Sequence, residues 1–307
     1  MCTVYKKLCA KDVACLSGFF GRRKNLTCDS VIFDSFLWQD YFDLAYHIWD
    51  GRALLLRMRD KDGYFSTVPI CDEETLPEAF AELEREYAEV GAPFRVCWVD
   101  EEALEILKLP PEKYSVTEIP DQADYLYDAE KLRTLAGKKY HKKKNHLNAF
   151  LKEYEGRWEY RRLHRWSRCE IWSFLTRWEE DKENIEEHME AEMTGLHHYL
   201  FNMDVFDAVM AGIYIDGRLE AFTIGSYNKH DRMSVVHVEK ANKDIRGLYV
   251  LISQQFQIHE FPDALLVNRE DDVGIPALRA AKLSWQPVAM ARKYDITHAV
   301  RQENGAL

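Results

Sequence analysis

Apolar and polar residues along the chain follow two periods, and the switches between them mark one order of elements that occurs twice. Ile48-Trp49-Asp50-Gly51-Arg52-Ala53-Leu54-Leu55-Leu56 reads as a tight Asp-Gly turn entering a strand. Ile213-Tyr214-Ile215-Asp216-Gly217-Arg218-Leu219-Glu220-Ala221-Phe222 repeats that pattern, Asp-Gly-Arg included. A strand-like segment follows each time, Tyr64 to Ile70 in the first copy and Met233 to Glu239 in the second. A helix comes next, from about Leu76 to Val90 and from about Gly247 to Glu260. Then come an apolar strand, Phe94 to Val99 or Ala264 to Val267, and a further helix. The repeat predicts an α/β protein with mixed sheets, built as two copies of one unit. The first domain spans residues 1–122; the second, 123–307, includes a helical connector.

In the connector, Leu132, Leu135, Leu147, Phe150 and Leu151 give residues 128–154 a half-buried helical pattern, interrupted near Gly137. A second helix, about Ser167 to Glu180, is expected to bury Trp172, Phe174, Leu175 and Trp178. The acidic run from Glu179 to Glu192 reads as a solvated face or a loop. Near the end, Leu265 to Trp285 reads as a short buried strand, a charged turn, and a helix that Pro276 helps to start. Its charges cluster where a strand ends and a helix begins, a place where α/β sheets commonly bind ligands.

Composition narrows the class. With 307 residues, 47% of them apolar, the chain can build one large core or two ordinary ones. Mean hydropathy is −0.43, and no apolar run approaches the roughly 20 residues of a membrane helix. The first residues lack the apolar core of a secretory signal, so a cytoplasmic location is expected. Seven scattered cysteines form no C-x-x-C pair, which leaves zinc ribbons and thioredoxin-type chemistry without support. The histidines, among them His188, His197 and His198, supply no metal-ligand set. A net charge of −11 argues against indiscriminate binding to nucleic acid or anionic lipid.

Four constellations carry candidate chemistry. The basic cluster 137–148 contains Lys142, Lys143, Lys144 and Asn145, and suits phosphate contacts as well as a solvated helical face. In Ser234 to Ala241, strand alternation places His237 and Glu239 together on one face, with Val236 and Val238 on the other. A histidine beside a carboxylate can relay a proton; a structural salt bridge is the plainer role. At Asp244-Ile245-Arg246-Gly247-Leu248-Tyr249, a glycine before a helix lets backbone N–H groups approach an anion. Tyr249 is placed to protonate a leaving group or simply to pack. In the closing turn, Asn268 can hydrogen-bond a backbone or a ligand amide, Arg269, Arg279 and Lys282 suit anions, and Asp271 and Asp272 can cap the next helix or hold an amine.

Together, Lys142 to Phe150, Val236 to Ala241, Ile245 to Tyr249 and Asn268 to Lys282 resemble the soluble C-terminal domain of phosphatidylglycerol lysyltransferases. That resemblance implies two tandem GNAT-like domains related to the Fem-type aminoacyltransferases, which take an amino acid from aminoacyl-tRNA. By the same resemblance Glu239 or His237 would serve as base, amides near Lys240 as oxyanion donors, and the Lys142–Lys144 helix as donor contact. No tightly bound cofactor is implied, and the acceptor is open among small molecule, peptide and lipid. Two departures bear on the donor: Asp244 and Tyr249 stand where acetyl-CoA enzymes carry Gln or Arg and a small residue. Acyl-CoA is therefore the lesser donor. The expected function is aminoacyl or acyl transfer; the alternatives are a catalytically silent binder of an anionic ligand or RNA, and an acyl-CoA-dependent N-acetyltransferase.

Overall fold

The computed structural model describes residues 4–180 and 187–299. The middle of the acidic run, 181–186, and the side chain of His188 lie outside the described residues.

The first sheet contains β1 (Lys6–Lys7), β2 (Ala45–Trp49), β3 (Ala53–Asp60), β4 (Gly63–Ser66), β5 (Arg95–Asp100) and β6 (Tyr114–Glu118). The second contains β7 (Asp124–Asp128), β8 (Trp158–Leu163), β9 (Ala208–Ile215), β10 (Arg218–Asn228), β11 (Met233–Ala241), β12 (Leu266–Asn268) and β13 (Ala289–Ala291). A last strand, β14 (Lys293–His298), returns to the first sheet.

Both units are built alike. Antiparallel strands lead to a helix, Leu76–Val90 or Leu248–His259, and then to a strand parallel to the last of them. The Asp-Gly turns close the hairpins β2–β3 and β9–β10. Asp50 and Gly51 have φ of 50° and 68°, and Asp216 and Gly217 have 49° and 80°. Two consecutive left-handed residues twist the turn with the strands, which is why Asp-Gly recurs there.

The sheets exchange their closing strands. Their orders are β1-β2-β3-β4-β5-β14-β6 and β13-β7-β12-β11-β10-β9-β8. Thus β7, which directly follows the first unit, inserts between β12 and β13, and β14, which follows the second, inserts between β5 and β6. Where the two strands begin, Lys293 Nζ lies 3.0 Å from Asp124 Oδ1 with both side chains buried. Asp124 also accepts the Cys28 N–H at 2.6 Å and the Asn268 amide at 3.0 Å. One apolar core runs through both units, joining Leu54, Leu56 and Phe65 of the first sheet to Phe222, Ile224 and Val238 of the second through Phe33 and Phe36. Burying such a phenylalanine stabilises by about 1.5–3 kcal/mol.

The connector is two helices, Ala129–Thr134 and His141–Glu153, with Gly137 at φ 102° between them. In the next helix, Arg168–Glu180, the buried stripe is Ile171, Phe174 and Leu175, with Trp178 partly buried beside them. Trp172, expected inside, is 48% exposed because it falls between those positions of the 3.6-residue period. Leu151 is likewise at the surface.

Replacing Lys293 with Met would leave Asp124 and Asp29 buried without their cation. A loss of about 3–5 kcal/mol in unfolding free energy is expected from urea denaturation; a loss under about 1 kcal/mol would remove the pair from this role.

Candidate functional site

The parallel strands β11 and β12 pair only from Met233↔Leu266 to Val235↔Asn268. Beyond that point β11 continues to Ala241 while the other chain turns away, so the sheet splits and leaves backbone and side chains facing a gap. The gap is a cleft of about 670 Å³. Its walls carry Val236, His237, Glu239 and Lys240 from β11, Arg269, Glu270 and Asp271 from the turn, and Lys282, Ser284 and Trp285 from the closing helix and the residues after it. Lys143 comes from the basic helix, Tyr249 from the helix after β11, and Trp38 from the first unit.

The alternation expected along β11 is broken. Ile224 pairs with Val238 but Gly225 with Val236, so His237 is an extra residue without a partner in the ladder. Such a bulge re-aims side chains. Val236 and Val238, expected on one face, join different cores. His237 stacks on Phe33 of the first unit at 4.3 Å, while Glu239 turns to Arg269. The two side chains therefore do not share a face.

His237 is fully enclosed. Its Nδ1 lies 2.9 Å from Glu270 Oε1 and its Nε2 3.0 Å from Ser226 Oγ. Burial pushes its pKa down to about 3, so the ring is neutral. Burial also drives the Glu270 carboxyl well above its ordinary range, with Asp34 nearby adding to the effect. The pair therefore shares a proton rather than a charge, which suits a positioning contact better than a base facing substrate.

Glu239 accepts from Arg269 Nη2 at 2.6 Å. Burial raises its pKa, although the Arg269 cation pulls the other way. Lys143 donates to Ser284 Oγ at 2.8 Å, and its ammonium lies 4.2 Å from the centre of the Trp285 ring. Burial, aided by Arg269, lowers its pKa to about 8. Lys282 donates to the carbonyls of Arg269, at 2.5 Å, and Asp271, clamping the turn; burial lowers its pKa too. Tyr249 stands at the cleft wall, 38% exposed.

Other predicted residues lie elsewhere. Lys142, Lys144 and Asn145 are exposed on the outer faces of the basic helix, and Arg246 is exposed on its turn. Gly247 has φ 89°, and a Cβ there would come within 2.3 Å of the His146 carbonyl oxygen. This glycine lets the two helices touch, and an acceptor oxygen covers the place where an anion was expected. Asn268 is buried, bonding to the Leu26 carbonyl at 2.8 Å and to Asp124 while its Oδ1 accepts the Glu270 N–H. Asp272 caps the closing turn by accepting the Gly274 N–H at 3.0 Å, and it takes Tyr125 and Arg279 as well. The Arg279 bond, foremost, holds its pKa down at about 2. Arg279 is committed to Asp272 and Asp121.

Sequence reasoning singled out Asp271 but missed the group it belongs to. Asp29, Asp34, Glu270, Asp271 and Lys293 line a pocket of about 170 Å³ between the two units. Burial, with Asp29 adding to it, raises the Asp34 carboxyl to about 8. Ligand atoms of Cys28, Asp34 and Glu270 lie within 4.8 Å of one another, a spacing that a metal ion can use. Against a metal, burial drives the Cys28 thiol well above its ordinary range, and the Lys293 ammonium sits 3.2 Å from its Sγ. No local pattern flagged Asp29 and Asp34, which are single acids in a helical segment.

Residues 33–297 match the family described as phosphatidylglycerol lysyltransferase, C-terminal. The chain belongs to this family. A conserved protein of unknown function from Bacteroides thetaiotaomicron superposes with a TM-score of 0.88 at 26% identity, over 97% of this chain and 100% of the other. L-PGS from Bacillus licheniformis gives 0.61 at 15% identity, over 88% of this chain and 92% of that one. FemX gives 0.62 at 9% identity, over 95% and 96%. The last two likenesses concern the fold alone, and the tandem GNAT-like architecture is common ground with them. No helix among the described residues of this phosphatidylglycerol lysyltransferase C-terminal-family member is long and apolar enough to cross a membrane.

Two outcomes follow. The folded chain binds the Asp34 proton more tightly than the unfolded chain does, whose value is near 3.8. Folding stability therefore falls as pH rises from about 4 to about 8. Asp34→Asn should reduce that slope, to which Glu270 and Asp271 also contribute, and raise the thermal midpoint at pH 8.5 more than at pH 5, as read by scanning calorimetry. Gly247→Ala should cost about 2 kcal/mol or more through its positive φ and the His146 contact; chemical denaturation checks it.

Proposed function

We propose that the chain is an aminoacyltransferase whose reacting ester lies in the cleft between β11 and the turn 269–271. The carrying observation is the pairing, in one cleft, of a carboxylate with a raised pKa, Glu239, and a lysine lowered to about 8, Lys143. Opposed shifts of this kind suit acid and base roles near neutral pH.

In this reading the acceptor's hydroxyl or amine attacks the ester carbonyl carbon and gives its proton to Glu239. The carbon–oxygen bond to the donor breaks, and the leaving hydroxyl takes a proton from Lys143. Arg269 stabilises negative charge on the carbonyl oxygen. Aminoacyl-tRNA as donor is supported by the exposed Lys142 and Lys144, which flank Lys143 on the basic helix and are open to a polyanion. An acyl-CoA donor has less support, because the His146 carbonyl occupies the space beside Gly247. The family description names lysyl transfer to phosphatidylglycerol.

Incubation with charged tRNAs should accelerate loss of the aminoacyl ester. Glu239→Gln should lower turnover by about 10²-fold while donor affinity changes little, and equal effects on both would assign Glu239 a structural role. Reversing Lys142, Lys143 and Lys144 to Glu should weaken donor binding and flatten its salt dependence. No acceleration with any charged tRNA or acyl-CoA would leave a binding module for an anionic ligand.

A further inference from the structure

The pocket behind His237 meets the cleft at Trp38, Glu270, Asp271 and Val273, which belong to both. Its polar side is an excess of acceptors. Asp29, Asp34, Asp124, Glu270 and Asp271 surround it or lie beside it, against the ammonium groups of Lys293 and Lys282. Those two cations are already committed: Lys293 to Asp124, Asp29 and Cys28, and Lys282 to two carbonyls.

What remains lacks donors. Thr67, 8% exposed, presents a fully buried Oγ1 with no hydrogen-bond partner in the pocket wall. The buried amide oxygen Oε1 of Gln122, in the same wall, has none either. Asp34 has no ion pair and no side-chain hydrogen bond among the described residues. Unpaired buried polar groups cost about 1–3 kcal/mol each, and the Gln122 oxygen, the Asp34 carboxyl and the Thr67 hydroxyl can all accept, so a group that supplies several N–H donors would be held strongly.

The opposite side is apolar. Trp38, Phe42, Leu44, Met58 and Trp98 line it. Aromatic rings beside carboxylates favour an organic cation, through ring faces as well as charge. A divalent metal gains nothing from such a wall and would meet the Lys293 ammonium with twice the charge. At roughly 30 Å³ per water-sized group, 170 Å³ admits about half a dozen, enough for a short aliphatic chain.

We infer that this pocket binds an aliphatic primary ammonium group, and that the group belongs to the acceptor. The ammonium binding stands on the pocket alone; the acceptor assignment rests on the transferase reading above. Donor phosphates are drawn to the basic side, where Lys143 and Arg269 lie. The acidic pocket is lined mostly by residues of the first unit, so the acceptor enters from that side. A diamine held there by one end passes Trp38 and Glu270 and offers its second, neutral amine in the cleft. That nitrogen bonds to the ester carbonyl carbon, the ester carbon–oxygen bond breaks, and the proton lost by the amine ends on the released hydroxyl.

Calorimetric titration of the full chain with 1,5-diaminopentane, pentane-1,5-diol and magnesium or manganese chloride tests the pocket. The diamine should bind and the diol should not. Asp34→Asn should weaken diamine binding by about ten-fold or more, the loss of one charge-assisted bond, and Thr67→Val, which removes only the hydroxyl, should weaken it in the same direction. Because Asp34 gives up its proton to pair with the ammonium, the measured heat should change with the ionisation enthalpy of the buffer. Equal binding of the diol, metal binding without diamine binding, or unchanged affinity in both folded variants would overturn the inference. With charged tRNA present, the diamine should become aminoacylated; competition with the donor without consumption would assign the pocket to the donor's own side chain instead. If no charged tRNA is turned over, the transferase reading fails, and the titrations still decide the pocket.

Discussion

The buried contact between Asp124 and Lys293 sits where two strands trade sheets, and the turn that walls the cleft is anchored to it. Each partner opens an exchanged strand, β7 or β14. Burial pulls the Lys293 ammonium toward neutrality, but Asp124 and Asp29 outweigh it and hold the pKa well above its usual value. Desolvating two charges is expensive, and attraction offsets it only when the remaining hydrogen-bonding capacity is also met. Here the Cys28 N–H and the Asn268 amide meet it on Asp124. Asn268 in turn receives the Glu270 N–H, so the contact sets the first residues of the turn that forms one wall of the cleft. The exchange therefore joins the two units and aims the turn in one stroke.

From that frame the charges separate by sign. Beyond Asn268 the backbone carries Arg269 toward Glu239 and the basic helix, and Glu270 toward His237 and the first unit. The strand ends at Asn268, and Glu270, at a left-handed φ of 57°, turns the backbone so that the two neighbouring side chains diverge; the bulge at His237 re-aims the facing strand. His237 stands between the two regions, neutral and bonded on both nitrogens, so it divides them without adding charge to either. A cleft with one basic and one acidic side can hold a polyanionic donor and a cationic acceptor at once.

Much of this was legible in the sequence, for physical reasons that also explain the rest. The Asp-Gly hairpins, the helix 76–90 and the closing helix at Pro276 were readable because local chemistry decides them: left-handed turn residues, period 3.6, a proline at a helix start. Lys143, His237, Glu239, Tyr249, Arg269 and Lys282 line one cleft. A backbone bond for Asn268 and capping for Asp272 were readable as types of contact, but the partners were not. Neither were the roles of Gly247 and Arg279, because they depend on residues far along the chain: Asn268 reaches Leu26, and Arg279 reaches Asp121. The strand exchange leaves no local trace, since β7 and β14 look like ordinary short strands wherever they pair. The bulge at His237 is equally silent, and one extra residue was enough to undo the alternation argument for four positions.

The two units answer the same geometric problem differently, and the difference explains why the cleft lies in the second. In the first sheet β4 and β5 also pair and then diverge, with Ser66↔Val96 the one pair they form. There the gap is filled by the chain's own N-terminal segment: Arg23 inserts, and its guanidinium makes two 2.6 Å bonds to the buried Asp100. What remains between Phe19, Phe20, Val68 and Trp98 is about 40 Å³. A bulge at Cys97 and Trp98 on β5, with Trp98 held at φ 59°, turns that ring toward the space between the units. A bulky residue in the left-handed region is strained, and here the strain is borne where the ring forms the apolar wall of the acidic pocket. The first unit has thus closed its own cleft and lends its outer surface to the cleft of the second.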